Sequence, residues 1–346
     1  MPLFAFGFLG GGASYLIGLP MPFLLGGIVG TGAFVLWYER EDRELPKLSR
    51  WVRMVFAALI GAMIGTRFSP ELLPLLPQFW VSVPAVAVFI LLAHFGNFTI
   101  MTRLGGFAKK DSFFAGMPGG IVDSAILAEQ AGADLRVVTT QHFIRIILVV
   151  SSVPLLFWVI EGSAVGSLAG ESLATASYGI TDVTLIIVIA LAGLFAGRAV
   201  GLPVSHLMGP LILGLGLSVA GLIAVDIPGW MQHAAQAMIG VSLGAQFSGV
   251  SRAMLLRGLR TGLMSGLYML GLAAGFASVM IQLVPADFGA MFISFAAGGL
   301  AEMSLIALTL NFNPVVVALH HLTRIFFTIW IGHTIWKRVL KEGEKL

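Results

Sequence analysis

One pattern of glycines and ionisable residues occurs twice in the sequence, and it limits what the chain can fold into. The first copy lies within residues 112–146 and the second within residues 292–325. A constant shift of 179 positions aligns Gly119 with Gly298, Gly120 with Gly299, Asp123 with Glu302, His142 with His321 and Arg145 with Arg324. Ionisable residues within apolar sequence are costly in a membrane and mark functional sites, so the duplication predicts a site built from two repeats.

The composition around this pattern predicts a polytopic integral membrane protein. Of 346 residues, 58% are hydrophobic and 11% are charged, against roughly 25% charged in soluble domains. The absence of cysteine excludes disulfides, thiolate metal sites and thiol nucleophiles. We expect no nucleic-acid binding, because the basic residues are scattered over short loops without a soluble reading domain. The N-terminus lacks the positive start of a signal peptide and is interpreted as the first membrane segment.

The duplication extends over nearly the whole chain. Residues 18–27 align with residues 201–210 at a shift of 183, and residues 58–69 align with residues 237–248 at a shift of 179. We therefore predict a first membrane repeat, a periplasmic linker, a second membrane repeat and a cytoplasmic tail, at residues 1–160, 161–182, 183–338 and 339–346.

Each copy contains six apolar segments, and the basic residues indicate how they cross the membrane. The segments lie at residues 3–18, 22–38, 51–66, 78–101, 112–131 and 135–160, and at 183–199, 203–225, 230–246, 261–283, 288–310 and 314–336. If the fifth segment of each copy does not cross, the repeats are inverted, with 17 lysines and arginines inside and Arg67 alone outside. Six crossings per copy give parallel repeats, with 12 inside and 6 outside.

The positive-inside rule favours the inverted arrangement. The predicted fold class is an all-α integral membrane protein with two inverted repeats. About ten helices span the membrane, and the two fifth segments are broken or re-entrant. We expect it in a bacterial inner membrane, with both termini in the cytoplasm.

The glycine pairs predict an interruption of the fifth segments. Glycine and proline within a segment break a helix, although Pro118 has no counterpart in the second copy. A broken helix frees backbone N–H groups, and the positive end of the half-helix attracts anions. The alternative is that glycine allows close helix packing. That second interpretation is preferred for glycines four residues apart, which are Gly61 and Gly65, Gly193, Gly197 and Gly201, and Gly240 and Gly244.

The arginines lie about ten residues into the sixth segments, near the middle of an apolar core of about 30 Å. Arg145 and Arg324 must therefore face a cavity, a carboxylate or an anionic ligand. Asp123 and Glu302 are candidates for binding a coupling proton or Na⁺, or for a static ion pair with the arginines. The two interpretations are compatible.

Histidines stand three residues before both arginines and on the same helix face. His142 and His321 are candidates for a proton relay or for hydrogen-bonded packing. His320 is expected to point elsewhere, since adjacent helical residues differ by about 100° in direction. The remaining histidines are assigned no chemistry; they are His94, His206, His233 and His333. The sequences GLPMP and GLPVS before the second segments predict short turns.

The doubled pattern of GLP, GAMIG or GVSLG, PGG-x-x-D or GGLAE, and H-x-x-R resembles the bacterial AbrB membrane-protein family. The resemblance implies a duplicated membrane domain. Members carry the labels of regulator and ammonia monooxygenase, and the family is distinct from the small soluble DNA-binding regulator of the same name. A copper monooxygenase needs a cluster of histidine ligands, and a transcription factor needs a soluble reading head. This sequence offers neither.

The leading functional hypothesis is a secondary transporter of a small anionic solute. Gly119, Gly120, Arg145, Gly298, Gly299 and Arg324 would bind the solute. Asp123, His142, Glu302 and His321 would serve a coupling ion or proton. The alternative is a membrane sensor that regulates gene expression without transport, and a monooxygenase subunit is the weakest candidate. We expect no catalytic residue, metal or cofactor. The expected partners are the lipid bilayer, the solute and H⁺ or Na⁺, and a homo-oligomer is compatible with this scheme.

Overall fold

The computed structural model describes residues 2–39, 49–67, 77, 79–161, 178–202, 204–249 and 252–336. Within these helices, the side chains of residues 50, 122, 123, 161, 252–257 and 333 are not described. The predicted cytoplasmic tail, most of the predicted linker and the Asp123 side chain therefore lie outside the description. The described residues form fourteen α-helices and no strand.

The helices follow the duplication, with seven in each copy. The first copy forms α1 (Pro2–Leu16), α2 (Pro22–Tyr38), α3 (Arg50–Gly65), α4 (Phe79–Thr99), α5 (Lys109–Ala115), α6 (Ile121–Gln130) and α7 (Leu135–Glu161). The second forms α8 (Ile180–Ala199), α9 (Ser205–Val219), α10 (Gly229–Gly244), α11 (Arg252–Leu283), α12 (Phe288–Phe295), α13 (Leu300–Thr309) and α14 (Pro314–Ile335). A π-helical turn over Ile100–Leu104 extends α4.

Among the described residues, five helices are long and apolar enough to cross a membrane. These segments are Phe79–Leu104, Leu135–Ile160, Ile180–Ala199, Gly258–Leu283 and Pro314–Gly332. Five more apolar helices have 10–17 residues. The all-helical, membrane-like architecture is as expected from the sequence. The inverted arrangement and the number of crossings stay predictions. The structure also begins α11 at Arg252, whereas hydropathy placed the segment start at residue 261.

The predicted turns before the second segments are present in both copies. Gly18 and Gly201 have φ values of +71° and +73°, which glycine adopts without a steric penalty. Met21 and Val204 then precede α2 and α9 with φ values of 46°. A residue other than glycine with positive φ is uncommon, and the conformation is strained most clearly at the β-branched Val204. The prediction that Gly201 packs against a helix is wrong, because a Cβ atom added there would meet nothing within 4 Å and the residue closes a turn instead.

The described chain divides into two compact units that cut across the sequence copies. The first unit comprises Met1–Pro74, Ser151–Gly249 and Ser304–Val315. Within it α2 packs against α10 and α3 packs against α9, so the second helix of each copy meets the third helix of the other. Methyl groups at Gly61 and Gly240 would collide with the carbonyl oxygens of Leu207 and Leu24. The prediction that glycines allow close helix packing is confirmed at six positions, which are Gly61, Gly65, Gly193, Gly197, Gly240 and Gly244.

The second unit comprises Leu75–Val150, Val250–Met303 and Val316–Leu346 and contains both interrupted segments. Within it α4 packs against α11, and α11 packs against α12. A buried cluster that includes Met101, Phe113, Phe114 and Val138 supports α5, and Trp336 packs against it. Each compact unit combines segments from both copies. The division into membrane repeats at residues 1–160 and 183–338 therefore describes the sequence duplication, and as a division into domains it stays a prediction.

Candidate functional site

Both fifth segments are interrupted at their glycine pairs, as the sequence predicts. In the first copy α5 ends at Ala115 and α6 begins at Ile121. In the second copy α12 ends at Phe295 and α13 begins at Leu300. Gly120 precedes α6 in an extended conformation, with φ −68° and ψ 144°. Each interruption therefore separates two short helices and leaves backbone groups without helical partners.

A histidine and an arginine hold the first interruption. The His142 Nε2–H donates to the carbonyl oxygen of Phe114, with the two atoms 2.9 Å apart. Because that carbonyl can only accept, Nε2 carries the proton and Nδ1 is free to accept. Arg145 donates to His142 Nδ1 at 2.9 Å and to the carbonyl oxygen of Met117 at 2.9 Å. A longer contact of 3.5 Å joins Arg145 to the carbonyl oxygen of Ala115.

The second interruption is held in the same way by the residues that the 179-position shift predicts. His321 Nε2 donates to the carbonyl oxygen of Ile293 at 2.9 Å, and Arg324 donates to His321 Nδ1 at 2.9 Å. Arg324 also donates to the carbonyl oxygens of Ala296 at 2.9 Å and Gly298 at 2.6 Å. We call each histidine, arginine and set of carbonyls a clamp. The first clamp is formed by His142 and Arg145, and the second by His321 and Arg324.

The clamps are buried, and the C-terminal ends of α5 and α12 stabilise the positive charge of their arginines. Arg145 is 1% exposed and Arg324 is 3% exposed, while both clamp histidines are fully buried. The carbonyls that accept from them belong to the ends of α5 and α12 and to the loops that follow. A helix C-terminus carries partial negative charge, which stabilises a nearby cation. Each guanidinium is therefore compensated chiefly by backbone dipoles.

Among the described side chains, neither arginine forms an ion pair with a carboxylate. Glu302 lies in the first turn of α13, and its carboxylate is close enough to Gly299 that a methyl group there would collide with it. The predicted static pair of Glu302 with Arg324 is therefore absent. The corresponding pair of Asp123 with Arg145 involves a side chain outside the description.

The clamp histidines have both ring nitrogens occupied, so their geometry is that of a structural link. Proton relay by His142 or His321 stays a prediction, and it would require the bond to arginine to break. His320 points away from the clamp, as expected. Its Nδ1 bonds the Val316 carbonyl oxygen at 2.8 Å, and its ring packs against Phe79 and Phe295.

The opposite side of each interruption is the start of a half-helix. The N-cap residue of α6 is Gly120, which has no side chain to cap the helix. The first backbone N–H groups of α6 belong to the residues that follow the glycine pair. Gly119, Gly120 and Gly299 are partly exposed, whereas the residues that end α5 and α12, at 112–115 and 289–295, are buried. These N-termini carry partial positive charge and are suited to bind an anion. Each guanidinium also keeps an Nε–H without a partner.

Polar residues that sequence reasoning missed support the first interruption. Asn97 of α4 is fully buried and donates to the carbonyl oxygen of Gly116 at 3.2 Å. Ser265 of α11 donates to the Asn97 side-chain oxygen at 2.8 Å. Gly119 lies against Thr328 of α14, where a Cβ atom on the glycine would be 2.7 Å from the threonine methyl. An amide within an apolar segment was the available signal for Asn97.

Gln141 forms a second buried link that the sequence analysis did not single out. Its side-chain oxygen accepts from Thr261 at 3.2 Å, and its nitrogen approaches the Gly258 carbonyl oxygen at 3.4 Å. Gln141 occupies the position of His320 in the other copy. The residue next to each clamp histidine therefore differs between the copies, although the clamp itself does not.

Comparison with known proteins finds relatives that align over most of the chain. A protein described as "Putative regulator AbrB" from Escherichia coli (strain K12) is 23% identical over 299 residues, covering 86% of each chain. "Uncharacterized protein YhjN" from Bacillus subtilis (strain 168) is 27% identical over 305 residues, covering 81% of this chain and 76% of its own. No solved structure matches. The family profile described as "Transition state regulatory protein AbrB" matches residues 23–340, so the chain belongs to the AbrB family.

Proposed function

We propose that this protein is a secondary transporter of a small anionic solute, with its site at the two interrupted segments. The observation that carries the proposal is the repetition of one interrupted helix and one clamp in both copies. Transporters with internal repeats bind substrates near the middle of the bilayer, where discontinuous helices present their N-termini to anionic groups. A purely structural kink does not need a buried arginine in each copy.

The backbone provides the anion contacts in this proposal. The N–H groups after Gly119 and Gly120, and after Gly298 and Gly299, form the direct contacts with the solute. Arg145 and Arg324 keep these groups in place through the carbonyls on the other side of each interruption. Their charge and their remaining N–H groups add attraction for an anion. The glycines are favoured because a side chain would block the approach of the solute to the backbone.

Coupling is assigned to the carboxylates in the first turns of α6 and α13. Asp123 and Glu302 stand beside the N-termini that would hold the anion, so binding of H⁺ or Na⁺ there removes the repulsion between carboxylate and solute. Asp123→Asn and Glu302→Gln preserve size and remove charge. We expect both variants to lose gradient-driven uptake while remaining folded in the membrane. Normal coupled uptake in both variants would remove the carboxylates from the coupling role.

The proposed topology is ten crossings with inverted repeats in a bacterial inner membrane, with both termini cytoplasmic and the linker periplasmic. The distribution of lysine and arginine supports it. The chain has no cysteine, so Ser167→Cys creates a single reporter in the linker. We expect this cysteine to react with an impermeant thiol reagent in intact spheroplasts. Labelling only after lysis would contradict the inverted topology and favour parallel repeats.

A membrane sensor is the second candidate, and the name of the Escherichia coli relative as a regulator favours it. A sensor would bind the same anion at the same N-termini without moving it. A monooxygenase subunit remains a third hypothesis, which metal analysis of the purified protein tests.

Counterflow in proteoliposomes separates transport from sensing. The vesicles are loaded with one unlabelled acid from a panel containing acetate, succinate, glutamate, aspartate and phosphate, and the labelled acid is added outside. A transporter accumulates label transiently, whereas a sensor binds label without accumulation. Empty liposomes and liposomes with Arg324→Met protein are the controls. Saturable binding without counterflow for every acid would favour the sensor.

A further inference from the structure

The two interruptions meet along one face of α14. Arg324 donates to the carbonyl oxygen of Gly298 in the second interruption. Thr328 stands four residues later on the same helix face and lies against Gly119 in the first interruption. Four residues correspond to about 6 Å along a helix axis. The two glycine pairs are therefore close enough for one small solute to contact both.

Two hydroxyl groups beside the first glycine pair lack partners. Thr328 and Ser124 are 2% and 1% exposed, and neither hydroxyl forms a hydrogen bond in the described structure. A Cβ atom on Gly119 would be 3.5 Å from the Thr328 Oγ1. Ser124 is one turn after Gly120 on α6, and its side chain leans toward the helix N-terminus and thus toward the glycine pair. Buried polar groups without partners are rare, so this pair indicates a missing acceptor.

The second glycine pair is covered by side chains of α13 and has no such hydroxyls. A Cβ atom on Gly299 would collide with the Glu302 carboxylate, and one on Gly298 would collide with the Met303 side chain. By the shift of 179 positions, Met303 and Val149 take the places of the two hydroxyl residues. Neither residue donates a hydrogen bond from its side chain. Additional donors for an anion are therefore present at the first glycine pair and not at the equivalent positions of the second.

We propose that Thr328 and Ser124 bind the anionic group of the solute and select an oxyanion, either a carboxylate or a phosphate group. This inference rests on the proposed function, and it assigns the anionic group to the first glycine pair. The N–H groups at the start of α6 and the two hydroxyls donate to the same oxyanion. A carboxylate provides about four lone-pair sites, which is enough to accept from both kinds of donor.

The test compares two substitutions at one position. Thr328→Val keeps the shape of the side chain and removes the hydroxyl. Because that hydroxyl has no partner, the variant should unfold at the wild-type temperature or higher. Its affinity for the solute should nevertheless fall about tenfold. Thr328→Ser keeps the hydroxyl and should bind nearly as tightly as the wild type.

Binding is measured by equilibrium dialysis of the full-length protein in detergent micelles. The probes are labelled acetate, succinate, glutamate, aspartate and phosphate in turn, and the variants are compared with the acid that binds the wild type most tightly. Ser124→Ala removes the other hydroxyl from a different helix, so it tests the site even if a Thr328 variant does not fold. Its affinity should also fall about tenfold.

Thr309→Val is the matched control. Thr309 is 2% exposed and its hydroxyl also lacks a partner, but it ends α13, at the opposite end from the glycine pair. Its affinity should equal that of the wild type. Binding without counterflow leaves this inference standing and favours the sensor.

Wild-type affinity in folded Thr328→Val or Ser124→Ala would overturn this inference and leave the proposed function standing, since an ordered water would then account for the hydroxyls. An equal loss in Thr309→Val would also overturn it. No saturable binding of any acid by the wild type would overturn both the inference and the proposed function.

Discussion

The two clamps use the same residue types at equivalent positions, but their arginine contacts differ in length. Arg324 donates to two carbonyl oxygens at 2.9 and 2.6 Å, whereas Arg145 has one contact at 2.9 Å and a longer one at 3.5 Å. The first copy adds Asn97, which binds the Gly116 carbonyl oxygen from α4. Position 276 of the second copy, which aligns with Asn97, holds a phenylalanine.

This comparison separates what an interrupted helix requires from what varies around it. The histidine, the arginine and a carbonyl before the glycine pair occur in both copies, so they define the interruption. Proline occurs in the first copy alone, and the second helix breaks without it. A shorter contact from Arg324 takes the place of the amide that assists Arg145. The two copies therefore achieve one backbone geometry with different partners.

Removal of a clamp arginine should have the largest effect. Arg324→Met leaves two buried carbonyls and His321 without a donor, and we expect a loss of about 4 kcal/mol in the free energy of unfolding. Arg145→Met should lose about 3 kcal/mol, because one of its contacts is long. Unfolding in mixed detergent micelles measures both.

A double substitution provides the control for these arginine variants. If Arg324 were compensated by Glu302, neutralising both would restore stability, as it does for a buried ion pair. Because its partners are carbonyls, Arg324→Met with Glu302→Gln should be no more stable than Arg324→Met alone. Restored stability in the double variant would refute the clamp.

Alanine at the glycine pairs should have a smaller effect, and the two copies should differ. A Cβ atom at Gly119 meets the methyl of Thr328, a β-branched residue with restricted rotation, so Gly119→Ala should cost about 2 kcal/mol. A Cβ atom at Gly298 meets Met303, which is flexible, so Gly298→Ala should cost less than about 1 kcal/mol. Thermal unfolding of the two purified variants measures the difference.

Thr328→Ser tests the stated cause, since it removes the methyl and keeps the hydroxyl. Combined with Gly119→Ala, it should recover most of the lost stability. The same serine combined with Gly298→Ala should change nothing beyond its own effect. Equal rescue of both alanine variants would show that the contact with Thr328 does not explain the difference.

Substitution of a clamp histidine should have a smaller effect than Gly119→Ala, and here the copies should agree. His142 and His321 have the same donor and acceptor distances, so His142→Phe and His321→Phe should each cost about 1.5 kcal/mol. His320→Phe, outside the clamp, is the control and should cost less. A difference of more than about 1 kcal/mol between the two clamp variants would contradict their equivalence.

The sequence predicted the elements of the site better than their partners. The shift of 179 positions located both interruptions, and the spacing of His142 and Arg145 placed them on one face. The sequence did not predict that backbone carbonyls would accept hydrogen bonds from the arginines. Every residue has a backbone carbonyl, so no residue type marks the ones that accept. Among protein groups the carboxylates were therefore the visible partners, and of the two interpretations of Glu302 the static pair with Arg324 is absent.

The contacts between helices that are far apart in the chain could also not be predicted from the sequence pattern. Hydropathy gave the order of the segments, but it does not predict that α2 packs against α10 and α3 against α9. Such contacts depend on the close approach of small residues far apart in the chain. Asn97 and Ser265 likewise meet across 168 positions, and neither has a polar counterpart in the other copy.

The most direct test of the account removes one backbone N–H from the start of α6 without changing the fold. Ile121 is the first residue of α6, a position that tolerates proline, and the extended Gly120 before it suits a following proline. Ile121→Pro deletes the N–H, and Ile121→Ala retains it with a similar loss of side chain. Counterflow is measured for both with the acid that gives the highest wild-type rate in the panel above.

We predict that Ile121→Pro lowers the affinity for that acid about tenfold or more, while Ile121→Ala stays close to the wild type. Both variants should unfold at similar temperatures. Equal affinity in the proline and alanine variants would contradict the claim that the interrupted helix binds the anion through its backbone.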